Sequence, residues 1–452
     1  MLFAVLMAAS IVDWVPMRWI SPDPKSLELV KGTPVNCLLL EGEQATPQLT
    51  AAASEAGLST LIVLRPAPDA IAQLEQALKL SPTGIVLEGD FEAEALTALR
   101  AAAKDKTLIE LPSRARMRFD KETPVVGTNQ GVWPGVQIDT GGTTKAAPSG
   151  APWINTNSGF LRFVRSATIS PVWIANTPPI HNVNTAERYL QVIGDAAMVG
   201  ARWVVALDAH FSKQLLSREP DAVKAWRSIG QHLAHFEQNK AWRTMEPLGQ
   251  LAIVQDVDSG ALFSGGVLDM IAVKHTPVRA VPSRMLEPKA MVGSRMAVNV
   301  DPSSLTEAQR EALKAFARGG GTLLTAPASW KFPQPDPDSI TLSEKDVKVL
   351  DEIWKEVNTM TGRQNLGVRL FNVSSMLSNA VRSQDGNTAV VHLVNYSDYP
   401  VENVTVHLLR KFKSAKLLAP GAEPVTLELY EHEDGSGVDI ANIGFTATII
   451  LE

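Results

Sequence analysis

The most constraining feature of this chain is a regular alternation between two kinds of segment, from residue 35 to about residue 240. Short runs rich in β-branched and aliphatic residues alternate with amphipathic stretches of helical length. Such alternation is typical of βα units with a parallel sheet. Eight runs within roughly 210 residues fit a (β/α)8 barrel better than an open doubly wound sheet. The predicted strands are 35–41, 60–65, 84–88, 107–111, 124–129, 135–139, 172–176 and 202–208.

The remainder of the chain changes character twice. A second βα block predicts a small α/β domain, in which Ser304 and Glu307 form a capping box at the start of a helix that ends at 319–321. A polar helix follows. After residue 367 the hydrophobic period becomes two, which predicts an antiparallel β-sandwich. The predicted α/β architecture is a barrel at 1–247, an α/β domain at 248–335, a linker helix at 336–364 and a β-sandwich at 365–452.

Composition excludes several classes of function. The 42 Lys and Arg against 48 Asp and Glu give a net charge of −6, so no global positive field attracts nucleic acid or an anionic membrane. The single cysteine, Cys37, excludes an internal disulfide and a thiolate metal cluster. It also lies outside the α/β domain, which excludes a cysteine hydrolase there. The sequence therefore predicts no cofactor, no metal, no nucleic-acid partner and no membrane partner.

The first twelve residues form an apolar run that ends in small residues. It resembles the apolar part of a secretory signal but lacks a basic start, and it is too short to cross a bilayer. We interpret it as a signal remnant and predict a periplasmic or secreted protein. A first buried strand and a cytoplasmic location are the alternatives.

Two segments carry a family resemblance. The stretch Leu305–Leu324 runs through a helix into Gly-Gly-Gly-Thr-Leu-Leu, and Val390–Ser397 reads Val-Val-His-Leu-Val-Asn-Tyr-Ser. With the domain order, they resemble the bacterial β-galactosidases of glycoside hydrolase family 42, although the barrel here is much smaller. The resemblance implies a TIM barrel, a glutamine-amidotransferase-like trimerisation domain and a β-sandwich. It also implies a carbohydrate substrate and a homo-oligomer, either a dimer or a trimer.

Catalytic residues of such a barrel lie where strands end at its carboxyl face. Glycoside hydrolysis needs two carboxyl groups, one acting as acid and one as nucleophile or base. The resemblance places the acid after the fourth strand, where Glu110 fits, and the nucleophile after the seventh, where Asn176 cannot serve. The second carboxylate is then another strand-end residue. The predicted catalytic set is Glu110, Asp208, Glu88 and Asp139, among strand ends that also include Glu41, Arg65 and Asp90. The alternative is that such carboxylates only cap loops and pair with Arg65 or Arg114.

Eight of the ten tryptophans precede residue 250, and two of them lie in loops dense in Gly, Pro and amide side chains. Flat indole faces suit the C–H faces of a sugar ring, and amides can bind its hydroxyls. The alternative is that these tryptophans only pack the end of the barrel. The predicted substrate-binding residues are Asn129, Gln130, Trp133, Trp153, Asn157, Asn176 and His181.

Two other patterns have ordinary explanations. Asp208 and His210 give too few ligands for a metal site, and His232 and His235 are expected on a solvated helix face. Two hypotheses about function remain. The first is a glycoside hydrolase that acts on an oligo- or polysaccharide. The second is a non-catalytic glycan-binding or assembly protein derived from such an enzyme.

Overall fold

The structure, a computed structural model, describes residues 10–120, 123–133, 136–138, 144–146, 156–178, 183–256, 266–268, 275–327, 330, 344–362, 367–373, 376–397, 399–432 and 435–452. The chain divides into two compact units. The first unit comprises residues 1–131, 168–189 and 201–237, and the second comprises 132–167, 190–200 and 238–452.

The strands of the first half of the chain are short. They are β1 (Pro16–Arg18), β2 (Cys37–Leu40), β3 (Ser59–Leu64), β4 (Gly84–Glu88), β5 (Thr107–Leu111), β6 (Val126–Thr128), β7 (Val136–Ile138), β8 (Thr144–Ala146), β9 (Val172–Ile174) and β10 (Arg202–Trp203). The helices of this half are α1 (Pro47–Glu55), α2 (Ala70–Lys79), α3 (Ala93–Ala103), α4 (Ser158–Ala167), α5 (Ala186–Ala197), α6 (Ala209–Leu216) and α7 (Pro220–Gln238).

The strands of the second half include longer ones. They are β11 (Glu246–Pro247), β12 (Leu251–Gln255), β13 (Val278–Pro282), β14 (Met296–Asn299), β15 (Thr322–Thr325), β16 (Val368–Phe371), β17 (Met376–Arg382), β18 (Ala389–Asn395), β19 (Val401–Leu408), β20 (Ala415–Leu418), β21 (Val425–Leu427), β22 (Leu429–His432), β23 (Gly435–Ile443) and β24 (Thr446–Leu451). Helices α8 (Glu307–Arg318) and α9 (Glu344–Thr361) accompany them.

Eight parallel strands of the first unit form a ring. Strands β1 to β5 pair in chain order, and β6, β9 and β10 pair in a second group. The Asn129 amide donates to the Pro112 carbonyl at 3.1 Å, which joins β6 to the end of β5. A parallel bridge between Met17 and Val205 joins β1 to the residues after β10. The mixed α/β class is confirmed.

One predicted strand of the ring is wrong. Val136–Ile138 pairs antiparallel with Thr144–Ala146, so the run 135–139 is not a parallel strand of the ring. Its place is taken by β1, which the sequence analysis does not predict. Three residues are too few to show a hydrophobic period, and β1 is recognisable only from its parallel pairing with β2.

Alternate residues of these strands fill the interior of the ring. A buried cluster combines side chains from β2, β3, β4, β5 and β9 with residues beside β1, β6, β9 and β10: Trp14, Cys37, Leu39, Leu61, Val63, Val86, Ile109, Leu111, Val125, Trp173, Ala175 and Val204. Because side chains alternate along a strand, this cluster defines which positions point inward. It also buries two of the tryptophans that the sequence concentrates in this half, Trp14 and Trp173, whose ring centroids lie 6.4 Å apart.

The second unit contains a four-stranded parallel sheet in the order β13-β12-β14-β15. One face packs on α9 through residues such as Ile253 and Trp354, and the other packs on α8 through residues such as Val254 and Leu313. The capping box of α8 is formed by Thr306 and Gln309, so the prediction that Ser304 and Glu307 form it is wrong. Residues 302–304 form a separate 3-10 turn, which delays the start of the helix.

Two antiparallel sheets follow, as the period of two predicts. Their strand orders are β11-β17-β18-β24-β20-β21 and β16-β19-β23-β22. The inward-facing residues form one apolar core that includes Val391, Val404, Val438 and Ile449. Strand β11 belongs to the first of these sheets, because Pro247 pairs with Val381.

Helix α7 gives another correction. His232 and His235 are each only 7% exposed, so the expectation of a solvated face is wrong. Burial lowers the pKa of each imidazole to about 4, and for His235 the neighbouring His232 lowers it further. In the part of the chain that the structure describes, no helix is long and apolar enough to cross a membrane.

Candidate functional site

Charged side chains lie at the carboxyl end of the ring, at strand positions whose side chains point inward. Leu39 and Val63 point into the ring, so Glu41 and Arg65, two residues further along, continue the same face. Glu88 follows Val86 on β4 in the same way. Arg18 ends β1. Strand alternation therefore gathers two arginines and two glutamates at one end of the barrel interior.

These four side chains, Arg18, Glu41, Arg65 and Glu88, form a closed network that we call the charge cluster. Arg18 donates through Nη1 to Glu41 Oε1 and through Nη2 to Glu88 Oε1. One atom of Arg65, Nη2, donates to both Glu41 Oε2 and Glu88 Oε2, each at 2.8 Å. Each glutamate therefore has one oxygen on each guanidinium.

Arg18 and Glu88 are the most buried members of the charge cluster. Their side chains are 8% and 6% exposed, whereas that of Arg65 is 52% exposed. Burial by itself would raise the pKa of Glu41, but the Arg18 and Arg65 guanidiniums outweigh it and lower that pKa. The same carboxylates raise the pKa of Arg65 against the effect of its own burial. Glu41 is therefore held as a carboxylate.

The two carboxyl groups of the cluster lie close together. Since Glu41 Oε2 and Glu88 Oε2 are both bonded to Arg65 Nη2, they can be no farther apart than twice the 2.8 Å bond length. Retaining glycosidases hold their two carboxyl groups about 5–5.5 Å apart, and inverting enzymes about 6.5–9.5 Å apart. This spacing is compatible with the retaining geometry and too short for the inverting one.

The next sector of the rim carries uncharged polar groups. Ser113 Oγ and Asn129 Oδ1 are buried atoms without a hydrogen-bond partner among the described residues. The backbone holds both side chains in place, since the Ser113 amide donates to Asp90 Oδ1 at 2.8 Å and the Asn129 amide donates to Pro112. Gln130 accepts from the Arg114 amide at 2.8 Å through Oε1. Two buried polar oxygens at this end of the ring therefore have no hydrogen-bond partner among the described residues.

Glu110 lies on the opposite face of its strand. Its neighbours Ile109 and Leu111 belong to the interior cluster, so alternation turns Glu110 outward towards α3. There Arg100 donates through Nε and Nη2 to its two carboxylate oxygens, both at 2.8 Å. The structure therefore does not bring Glu110 into the charge cluster.

Asp208 serves as the N-cap of α6. Its Oδ1 accepts from the Phe211 amide at 2.9 Å, and its Oδ2 accepts from the Tyr189 hydroxyl at 2.7 Å and the Asn184 amide at 3.2 Å. Burial raises the pKa of Tyr189, and the bond to the Asp208 carboxylate adds to it, although the bond from the Asp208 amide acts in the opposite direction, so that hydroxyl stays a donor. The Asp208 carboxylate oxygens are thus occupied by these hydrogen bonds, and the residue caps the start of the helix.

The predicted substrate-binding residues are spread over both units. Asn176 donates to the Gly131 carbonyl at 2.6 Å in the first unit. In the second unit Trp133 is buried, and Asn157 makes paired bonds with the backbone of Val132 at 2.8 and 2.7 Å. Asp139, Trp153 and His181 lie outside the described residues.

Sequence reasoning missed Arg18 entirely. It placed Glu41 and Arg65 at strand ends without assigning either to the catalytic set, and it considered Arg65 only as a partner for such carboxylates. The available signal was strand phase. Counting in steps of two from the apolar interior residues selects Glu41, Arg65 and Glu88, and it excludes Glu110. Arg18 has no such signal, because β1 is too short.

Comparison with known proteins gives fold similarity only. No family model and no curated protein sequence matches the chain. Among solved structures, α-L-fucosidase isoenzyme 2 of Paenibacillus thiaminolyticus superposes with a TM-score of 0.62 at 10% identity, over 98% of this chain and 99% of that one. This similarity shows a glycosidase-like fold.

Two further structures are more distant. A rhamnosidase of Novosphingobium sp. PP1Y gives a TM-score of 0.45 at 11% identity, over 90% of this chain and 38% of that one. A catalytic mutant of a family-42 β-galactosidase of G. stearothermophilus gives 0.35 at 10% identity, over 91% and 68%.

Proposed function

We propose that this chain is a retaining glycoside hydrolase that acts on an oligo- or polysaccharide at the carboxyl end of the ring. The observation that carries the proposal is the close pair of carboxyl groups, Glu41 and Glu88, joined by one nitrogen of Arg65. The glycosidase-like fold supports it, because barrel enzymes hold their reacting groups at this end.

The environment separates the roles of the two carboxyl groups. Glu41, whose pKa is lowered by two guanidiniums, is the nucleophile that attacks the anomeric carbon and forms a glycosyl-enzyme ester. Glu88 is the acid that protonates the leaving oxygen, and it then takes a proton from the water that hydrolyses the ester. Glu88 Oε2 must release Arg65 Nη2 before it can donate a proton to the leaving oxygen, while Arg18 stays on Oε1. Arg65 is half exposed, so a bound sugar can displace it.

The rest of the chain supports this site in the proposal. The buried, unpartnered oxygens of Asn129 and Ser113 support it, because a sugar hydroxyl that reaches them would supply the missing hydrogen bonds. Residues 1–247 are the catalytic barrel, 248–335 the amidotransferase-like domain that mediates oligomers, 336–364 a linker helix and 365–452 the β-sandwich. Export to the periplasm or beyond the cell is part of the same proposal.

A specific observation favours a second candidate, a non-catalytic glycan-binding protein. Each predicted or observed carboxylate among the described strand ends already has partners: Glu41 and Glu88 have two arginines, Glu110 has Arg100, and Asp208 has a tyrosine and two amides. A general acid needs a raised pKa, and ion pairs with arginine act against that.

Turnover of a panel of aryl glycosides and oligosaccharides tests the proposal. Wild-type protein should release sugar with retained anomeric configuration, observed by proton NMR. Glu41→Gln and Glu88→Gln should each lower kcat by at least about a hundred-fold, the usual scale for an acid–base group. Glu110→Gln is the matched control, since it removes the charge of a carboxylate paired on the outer face, and it should retain activity.

Three outcomes would overturn this assignment. Loss of turnover in Glu110→Gln or Asp208→Asn, with Glu88→Gln active, would return the catalysis to the other strand-end carboxylates that the sequence predicts. Inverted product would exclude a carboxyl pair as close as Glu41 and Glu88. Saturable sugar binding without turnover would establish the non-catalytic alternative.

A further inference from the structure

A cluster of aromatic rings lies on the outer face of the β-sandwich, within the second unit. It comprises Phe371, His407, Tyr430 and His432, and we call it the aromatic patch. Val404, Val406 and Leu408 of β19 point into the sandwich core, so His407 points out of the sheet. Phe371 and Tyr430 are 42% and 36% exposed, and His407 and His432 are half-buried between them.

Contacts between the rings make the patch continuous across three strands. The His407 ring centroid lies 3.9 Å from that of His432, 4.9 Å from that of Phe371 and 5.9 Å from that of Tyr430. Strand β23 runs beneath, and at Gly437 a Cβ atom would lie 2.4 Å from the Tyr430 ring. The glycine therefore allows Tyr430 to lie over β23 and reach His407.

Hydrogen-bonding groups border the rings on one side. The Tyr430 hydroxyl lies 3.0 Å from His407 Nε2 and 3.4 Å from Asp439 Oδ1. Thr405 donates to the same Asp439 oxygen at 2.6 Å. Asp439 Oδ2 has no bond to these two residues, and the carboxylate is exposed, so it can accept from hydroxyl groups of a ligand. Burial and Asp439 raise the pKa of Tyr430, which keeps its hydroxyl protonated.

We propose that the aromatic patch is a binding surface for a neutral glycan, separate from the charge cluster of the ring. Exposed rings offer apolar faces to the C–H groups of a sugar, and the adjacent carboxylate accepts its hydroxyls. The charge on this face is balanced, since Arg369 is the strand partner of His407 and Asp439 lies on the neighbouring strand. Because these two charges offset each other, the face attracts neither an anionic nor a cationic glycan overall, and the occupant is uncharged.

Binding of neutral hexasaccharides of glucose, xylose and mannose to the full chain tests this proposal, with calorimetry as the readout and oligogalacturonate as the acidic comparison. Tyr430→Ala and Phe371→Ala should each weaken binding by about ten-fold, the effect of losing one good contact. Asp439→Asn should weaken it less. Tyr399→Ala is the matched control because Tyr399 is 61% exposed and is not part of the patch.

The result is independent of catalysis at the ring. A patch variant that loses hexasaccharide binding should hydrolyse a small aryl glycoside at the wild-type rate, because that substrate needs only the ring site. The proposal is overturned if no neutral glycan of the panel binds, if Tyr430→Ala and Phe371→Ala bind as wild type does, or if oligogalacturonate binds more tightly. A change of sedimentation coefficient in these variants would identify a contact between copies of the chain instead.

Discussion

Replacing Glu88 by glutamine should destabilise the first unit more than the same change at Glu110. Glu88 is almost fully buried and holds one oxygen on each of two guanidiniums. Glutamine keeps the size of the side chain but presents an amide nitrogen where one carboxylate oxygen was. Arg18, which is equally buried, then keeps only Glu41 as a charged partner.

The size of the effect follows from burial. Breaking a buried ion pair by removing one partner costs about 3–5 kcal/mol. The remaining Arg18–Glu41 pair and the exposure of Arg65 reduce this, so we expect about 2 kcal/mol for Glu88→Gln. Glu110→Gln breaks a pair whose side chains are 19% and 35% exposed, and it should cost about 1 kcal/mol or less.

Urea unfolding followed by tryptophan fluorescence measures both variants, because Trp14 and Trp173 lie inside the ring. The double variant Glu88→Gln, Arg18→Gln should be less destabilised than the sum of its single changes, since it removes both buried charges of one pair. A Glu88→Gln variant within about 0.5 kcal/mol of wild type would refute the reasoning, because changes of that size are typical of surface positions.

Three further predictions address other parts of the molecule. The pKa values of His232 and His235 are lowered to about 4 in the folded chain, so the unfolded chain takes up protons first as pH falls. The free energy of unfolding should therefore be highest above about pH 6.5 and should decline by about 3 kcal/mol per histidine towards pH 4. A melting temperature that stays flat across this range would contradict it, and His232→Gln should flatten part of the decline. Tyr396→Phe removes a 2.6 Å bond to buried Asp195, whose pKa burial already raises, and should cost about 1–3 kcal/mol in chemical denaturation. Gly437→Val should displace the Tyr430 ring and weaken glycan binding without changing turnover of aryl glycosides, and unchanged binding would count against the patch.

Much of the fold was predictable because hydrophobic period is a local property. The alternation of strands and helices before residue 240 and the period of two after residue 367 correspond to the parallel and antiparallel sheets. The predicted strands were wrong where a strand is too short to show a pattern, or where parallel and antiparallel strands share the same pattern. Strand β1 has three residues, and the run 135–139 has the composition of a strand of either direction.

The candidate site was less predictable, since its members are distant in sequence. Arg18 lies 23 residues from Glu41 and 70 residues from Glu88, and only the pairing of β1 with β2 brings them together. Glu110 resembles a catalytic carboxylate by its position after a predicted strand, yet the phase set by Ile109 and Leu111 turns it towards Arg100.

The sequence by itself determined the two sheet types and the supply of strand-end carboxylates, because side-chain period and residue identity are encoded residue by residue. Only the tertiary structure decided which charges meet. The ring aligns the ends of β1 to β4, and burial there makes each charge depend on its partners. The same holds for the aromatic patch, whose rings come from strands β16, β19 and β22 and touch only because the sheet sets them side by side over a glycine.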